Sequence, residues 1–249
     1  VTIVLYVGGC DSGPDPVTKV LESLTPPSPG QVARDAFNVY DADTRRKSVT
    51  TLSAAKFGGE EPYLRMYRLL IDDPDPTVRA ACATALGLHG TPEDAKLLAA
   101  HLSDDSNIVR WEAAKALQKV HNPAAVGGLI RCLKDDQDAD VRMAAADALG
   151  QYAEPRVFQA LVGSLEDRSF SVVRAAWRSL RILTGRDFGA DGGPWLQWAR
   201  EHEGRLFEGQ QTYVWYPYVR PLRLIDKVQF WKKPPRAEPQ LPAGTPSHS

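Results

Sequence analysis

A Val-Arg pair returns at near-constant intervals along the middle of this chain, and that recurrence limits the possible folds more than any other feature. The copies are Val78-Arg79, Val109-Arg110, Val141-Arg142 and Val173-Arg174, at spacings of 31, 32 and 32 residues. Ala85-Leu86, Ala116-Leu117 and Ala148-Leu149 follow at a fixed offset, and the fourth copy keeps Leu180 alone. Asp-rich corners precede the copies: Asp72-Asp73-Pro74-Asp75, Asp104-Asp105, Asp135-Asp136-Gln137-Asp138 and Asp167. A fainter earlier copy starts at Arg45-Arg46 and runs through Val49 and Leu52. A repeat of this length means that one supersecondary unit is stacked several times.

Each unit holds two helical patterns. Residues 92–102 place Ala95, Leu98, Ala99 and Leu102 on one face, and residues 108–120 do the same with Val109, Ala113, Ala116, Leu117 and Val120, as the 3.6-residue period requires. Pro62, Pro92, Pro123 and Pro155 recur near the start of the leading helix, where a missing N–H costs nothing. Aspartates at the corner suit the positive end of the next helix. A pair this short buries its apolar stripe only against the next pair, so the units stack into a solenoid.

The proline-led helix, the Asp corner, the Val-Arg pair and the Ala-x-Ala-Leu run together resemble HEAT repeats, in the short bacterial form also seen in phycobilisome-lyase-like proteins. The resemblance spans about residues 42–184. It implies an all-α fold, an α-α superhelix of about four helix pairs plus a half, with an extended non-helical C-terminal arm. It also implies use as a binding scaffold whose second helices line the concave surface.

Both ends depart from the repeat. Val7-Gly8-Gly9-Cys10 resembles a bacterial lipobox, which makes Cys10 a lipidation site; the other reading is a short apolar start. Residues 11–41 read as a tether with a short helix near 17–24. After the solenoid at 42–185, residues 186–209 read as a cap in which Trp195 and Trp198 cover the open end of the core. Residues 210–249 form an aromatic arm holding Tyr213, Trp215, Tyr216, Tyr218, Phe230 and Trp231. Residues 204–249 carry seven Lys/Arg against three Asp/Glu, in a chain whose net charge is -1. Such an arm either folds back along the solenoid or docks on a partner.

The chemistry-bearing residues form no site. The cysteines are three, Cys10, Cys82 and Cys132, with no Cys-x-x-Cys spacing. The five histidines show no metal-ligand spacing, and His89 and His121 end helices where a cation suits the dipole. Asp187 and Asp191 lack the alternating carboxylates of a calcium loop and read as a glycine-rich turn. Val162-Gly163-Ser164-Leu165-Glu166 is not a nucleophile elbow. The expectation is therefore no catalytic, cofactor or metal residue. Arg79, Arg110, Arg142 and Arg174 are expected to bond to an Asp or a carbonyl of their own or the adjoining unit.

Binding residues are sought where the repeat permits variation. Ala80, Trp111, Met143 and Ala175 follow the arginine, and Thr84, Lys115, Asp147 and Ser179 stand four residues later on the same face. Trp111, Met143, Lys115 and Asp147 make a mixed apolar and charged strip suited to a partner; alternatively Trp111 packs into the next unit. The functional expectation is a non-enzymatic scaffold for other proteins, an accessory subunit of an assembly in the bacterial envelope. It would be held by lipid at the membrane and face the periplasm. The alternatives are a bilin-type chromophore lyase and a nucleic-acid-binding repeat protein; the latter needs a basic track that the strip lacks.

Overall fold

The computed structural model describes residues 27–217 and 238–246. Among these it is helical throughout, with eleven α-helices and no strand longer than an isolated bridge. They are α1 (Pro29–Asp35), α2 (Ala42–Ser53), α3 (Glu61–Leu70), α4 (Pro76–His89), α5 (Asp94–Ala100), α6 (Asn107–Leu117), α7 (Val126–Asp135), α8 (Ala139–Leu149), α9 (Pro155–Gly163), α10 (Phe170–Thr184) and α11 (Gly192–Glu201). Single 3-10 turns extend α5 and α9 and precede α7.

The first ten helices pair into five rungs. Odd-numbered helices form an A layer and even-numbered ones a B layer, and each B helix packs on the B helix of the next rung. The half unit foreseen before α3 is a whole one, because α1 lies inside the stretch read as a tether. Its Val32 and the following Ala36 are buried in the core, so the solenoid begins near residue 29 rather than 42. The foreseen short helix at 17–24 lies outside the described residues.

Small side chains set the B-layer spacing. Ala83, Ala85, Ala113, Ala114, Ala145, Ala146 and Ala148 are fully buried, and Gly87 sits where a Cβ would lie 2.7 Å from the Cα of Ala116. The period also fixes each helix's rotation. Val78, Val109, Val141 and Val172, each three residues after its N-cap, are all fully buried.

The corners between the A and B helices carry a ladder of ion pairs. Arg45 grips Asp73 at 2.8 and 2.7 Å through Nε and Nη2. Arg79 grips Asp104, Arg110 grips Asp136 and Arg142 grips Asp167 through the same two nitrogens. The third nitrogen donates to corner carbonyls of the arginine's own rung: Arg79 to Asp73, Arg110 to Asp104 and Arg142 to Asp136. Each aspartate also accepts the N–H two residues on, from Asp75, Ser106, Asp138 and Ser169. One carboxylate thus shapes its own corner and ties down the preceding rung, in the bidentate geometry that makes such pairs strong.

Arg174 is outside this ladder, which corrects the repeat register. Counting from the N-cap Ser169, the fifth-rung equivalents of Val141-Arg142 are Val172-Val173. Arg174 therefore stands one place later, exposed, with no hydrogen bond or ion pair among the described residues.

The last rung is closed by α11, which packs on α9. Trp195 is fully buried and donates through Nε1 to the carbonyl of Gly189 at 2.9 Å. Phe188 meets Trp195 edge-on at 4.9 Å and Trp198 at 5.8 Å, and Trp198 reaches Phe158 at 6.5 Å. Asp187 accepts from Trp177 Nε1 and the Gly189 N–H and pairs with Arg181, while Asp191 caps α11 through the Gly193 N–H.

Two outcomes follow for stability. Arg110→Ala leaves the buried carboxylate of Asp136 without its partner and should cost about 3 kcal/mol in denaturant unfolding. Arg110→Met with Asp136→Leu should recover much of that loss. The acid limb has a definite sign. Burial raises the Asp104 carboxyl, but the bonds from Arg79 and the Ser106 N–H outweigh it, and its pKa lies below the ordinary 3.8. For Asp167 the Arg142 bond is the largest cause of the same lowering. Their stabilisation is complete above the unfolded value and lost as pH falls through the depressed folded values. Melting temperatures should be level from about pH 5 upward and fall below about pH 4.

Candidate functional site: the open face of the B layer

The buried valines and alanines of each B helix face the core, so the 3.6-residue period turns the fifth and ninth residues after the N-cap to the opposite side. These positions are Arg46, Ala80, Trp111, Met143 and Arg174 in one row. Thr50, Thr84, Lys115, Asp147 and Arg178 make the other. The corrected register puts Arg174 and Arg178 where Ala175 and Ser179 were expected; those two are buried, and the Ser179 hydroxyl donates to the Ala146 carbonyl of the previous rung.

Trp111 is half-buried and packed on the core, with its face under the Lys115 ammonium at 3.9 Å. Lys115 pairs with Glu112 at 3.0 Å, and Glu112 also accepts from the Thr84 hydroxyl at 2.9 Å. Met143 is half-buried beside this group on the next rung. Asp147 pairs with Arg178 across the rungs. Burial pushes its carboxyl above the ordinary range despite Arg178 and Arg174. The four residues expected as a strip thus lie on one face of adjacent rungs.

The arm returns to the solenoid. Gly185 closes α10 with φ 67°, and a Cβ there would meet the Gly209 carbonyl oxygen at 2.2 Å, so the chain crosses over the helix end where only glycine fits. Gln211 then donates its N–H to the Ile182 carbonyl. Trp215 and Gln240 exchange N–H···O bonds at 2.9 Å, and Ala243 bonds to Lys119 and His121 at 2.7 and 2.8 Å along the end of rung three. The Trp215 face lies 5.0 Å from the Lys119 ammonium, and burial pushes the Tyr213 phenol well above its ordinary range. Tyr213 and Trp215, proposed from the sequence as partner contacts, are half-buried where the arm meets the rungs, and Tyr216 is exposed. Tyr218, Phe230, Trp231 and Cys10 lie outside the described residues.

Between arm and rungs runs a cleft of about 450 Å³ whose walls include His121, Gln151, Tyr152, Thr212, Tyr213 and Leu241. His121 stacks on Tyr152 at 4.8 Å and bonds to the Gln151 side chain. Burial lowers its pKa, and its ring is wedged between rungs where a helix-end cation was expected. His89 likewise reaches the Ser53 carbonyl of the preceding rung at 2.7 Å.

The sequence matches a family described as HEAT repeats over residues 31–117 and 98–181, more than half of the chain. The chain belongs to the HEAT-repeat family. No curated protein matches it. Among solved structures, an engineered protein of the Northeast Structural Genomics Consortium is 20% identical with a TM-score of 0.52, over 74% of this chain and 95% of that one. A designed armadillo repeat protein in complex with the peptide (KR)4 is 19% identical with a TM-score of 0.52, over 73% and 95%. The complex of CpcE and CpcF of phycocyanin lyase from a Nostoc species is 20% identical with a TM-score of 0.48, over 61% and 96%. These likenesses lie in the stacked-helix fold of the HEAT frame.

Trp215 shields Lys119, so Trp215→Ala should raise the labelling of Lys119 by an amine-reactive reagent several-fold, read by peptide mass spectrometry. Lys115, on the preceding helix α6, serves as the internal standard.

Proposed function

We propose that this HEAT-repeat chain is a non-catalytic scaffold that holds another protein on the open face of its B layer, as an accessory subunit of an envelope assembly. The observation that carries this is the contrast between frame and face. Corner aspartates, ladder arginines, His89 and His121 are spent on joining rung to rung. Trp111, Met143, Lys115 and Asp147 instead differ from rung to rung on the helix side opposite the fully buried valines. A half-buried aromatic and a thioether flanked by charges fit a protein contact, since aromatics and methionine are enriched at interfaces. The peptide in the designed armadillo structure is consistent with this use of a stacked-helix face.

Lipidation at Cys10 would hold the scaffold at the membrane, on the periplasmic side. That part rests on the Val7-Gly8-Gly9-Cys10 motif alone. Mass spectrometry of the membrane fraction should find the modified cysteine; an unmodified Cys10 in soluble protein overturns the tether.

The scaffold itself is tested by affinity purification from the native source with wild type and with Trp111→Ala, Met143→Ala. A discrete partner in fixed ratio should be lost from the double variant, with more than about a hundredfold weaker binding. Helical circular dichroism and a melting curve check that the variant is folded. Unchanged retention, or no partner with the wild type, overturns the reading.

A further inference from the structure

Residues 242–245 form a tight turn seated on the end of rung three. The Ala243 N–H donates to the Lys119 carbonyl at 2.7 Å, and the His121 N–H donates to the Ala243 carbonyl at 2.8 Å, which makes a parallel bridge at Val120. Thr245 closes the turn, donating both its N–H and its hydroxyl to the Pro242 carbonyl. Gly244 holds the third position with φ 85°, the conformation that turns of this kind reserve for glycine. A Cβ there would lie 2.5 Å from Cγ of Pro92 and 3.0 Å from the His121 carbonyl oxygen. Pro242 is buried, whereas Leu241, Ala243 and Gly244 are exposed. The notch between Pro92 and His121 therefore selects a buried proline and a glycine two places later, and it takes only the backbone of the residue between them.

Main-chain bonds of this kind give affinity to any segment of the right shape, and side-chain fit supplies the selectivity. Pro242 is the one buried residue in the stretch 240–246, and a segment held mainly by exposed backbone bonds opens at low cost. We infer that the Lys119–His121 edge is a docking site for a Pro-x-Gly turn of a partner protein, and that the chain's own turn is a releasable plug seated in it. The Lys119 carbonyl and the His121 N–H bond the incoming backbone, and Pro92 admits only glycine at the third position. A tethered plug competes at high effective concentration, so a partner segment gains the site once the plug is released or the partner is held nearby by other contacts. This surface is distinct from Trp111 and Met143 and does not depend on the B-face reading.

The test uses the full chain carrying Gly244→Val, whose added Cβ and strained φ keep the plug from seating, and a labelled peptide copying residues 240–246. Hydrogen exchange of the His121 amide, read by NMR, should be at least about tenfold faster in the variant than in wild type, and added peptide should restore the slow rate. In anisotropy titrations to about 1 mM, the peptide should bind the variant and bind wild type at least about tenfold more weakly. The peptide with Ala243→Lys should bind equally well, and the peptide with Gly244→Val should not bind. A second chain variant, Pro242→Glu, removes the buried anchor and should give the same peptide binding; melting curves show which variants are folded. No binding to either unplugged chain, equal binding to wild type, or binding that ignores the peptide's glycine overturns the inference. So does a wild-type dimer in sedimentation that Gly244→Val dissociates, since the turn is then exchanged between copies.

Discussion

A bidentate arginine–aspartate pair recurs at each junction between successive rungs, and the rest of the structure depends on it. A helix pair with a narrow apolar stripe has little to fix its angle to the next pair. The ladder supplies that missing constraint: one guanidinium reads a carboxylate on the following rung and carbonyls on its own, so rise and rotation are set together. The carboxylate in turn organises the first turn of its own B helix. Folding a corner and docking a rung become one event, which couples neighbours in the manner of a one-dimensional array.

With orientation fixed at the corners, the B layer can be built from alanine and glycine. Small residues bring helix backbones close, as at Gly87 against Ala116, and leave the opposite side of each helix with fewer packing constraints. That freedom is why tryptophan, methionine, lysine and aspartate can replace one another there without disturbing the frame. Binding chemistry and folding chemistry occupy different sides of the same helices.

Most of the frame was legible in the sequence, and the exceptions have physical reasons. Val78-Arg79 through Val141-Arg142 mark the rungs because ladder and core impose them together. The fifth rung misled because Val172-Val173-Arg174 contains a Val-Arg pair out of phase. Counting from the N-cap Ser169, rather than matching the pair, would have placed Arg174 on the B face. Helix α1 was hidden because its rung has Val39 where the later rungs place the ladder aspartate, and so carries no ladder signature. The return of the arm left no pattern either. Its bridges to Val120 and between Trp215 and Gln240 are made by backbone atoms, which every residue has. His121 looked like a helix-end cation until its burial against Tyr152 became visible.

The ladder also has two ends, and neither is sticky. At the front, two residues before the cap Asp41, Val39 stands where the later rungs place aspartate. At the back, Val173 stands where they place arginine. A stack of like units is open to growth by addition of another copy end to end, which in a head-to-tail geometry leads to filaments. Here an incoming copy would find neither a carboxylate to receive its arginine nor an arginine to receive its carboxylate. Among the described residues valine thus ends the ladder on both sides, and the pair that joins rung to rung is not offered between copies.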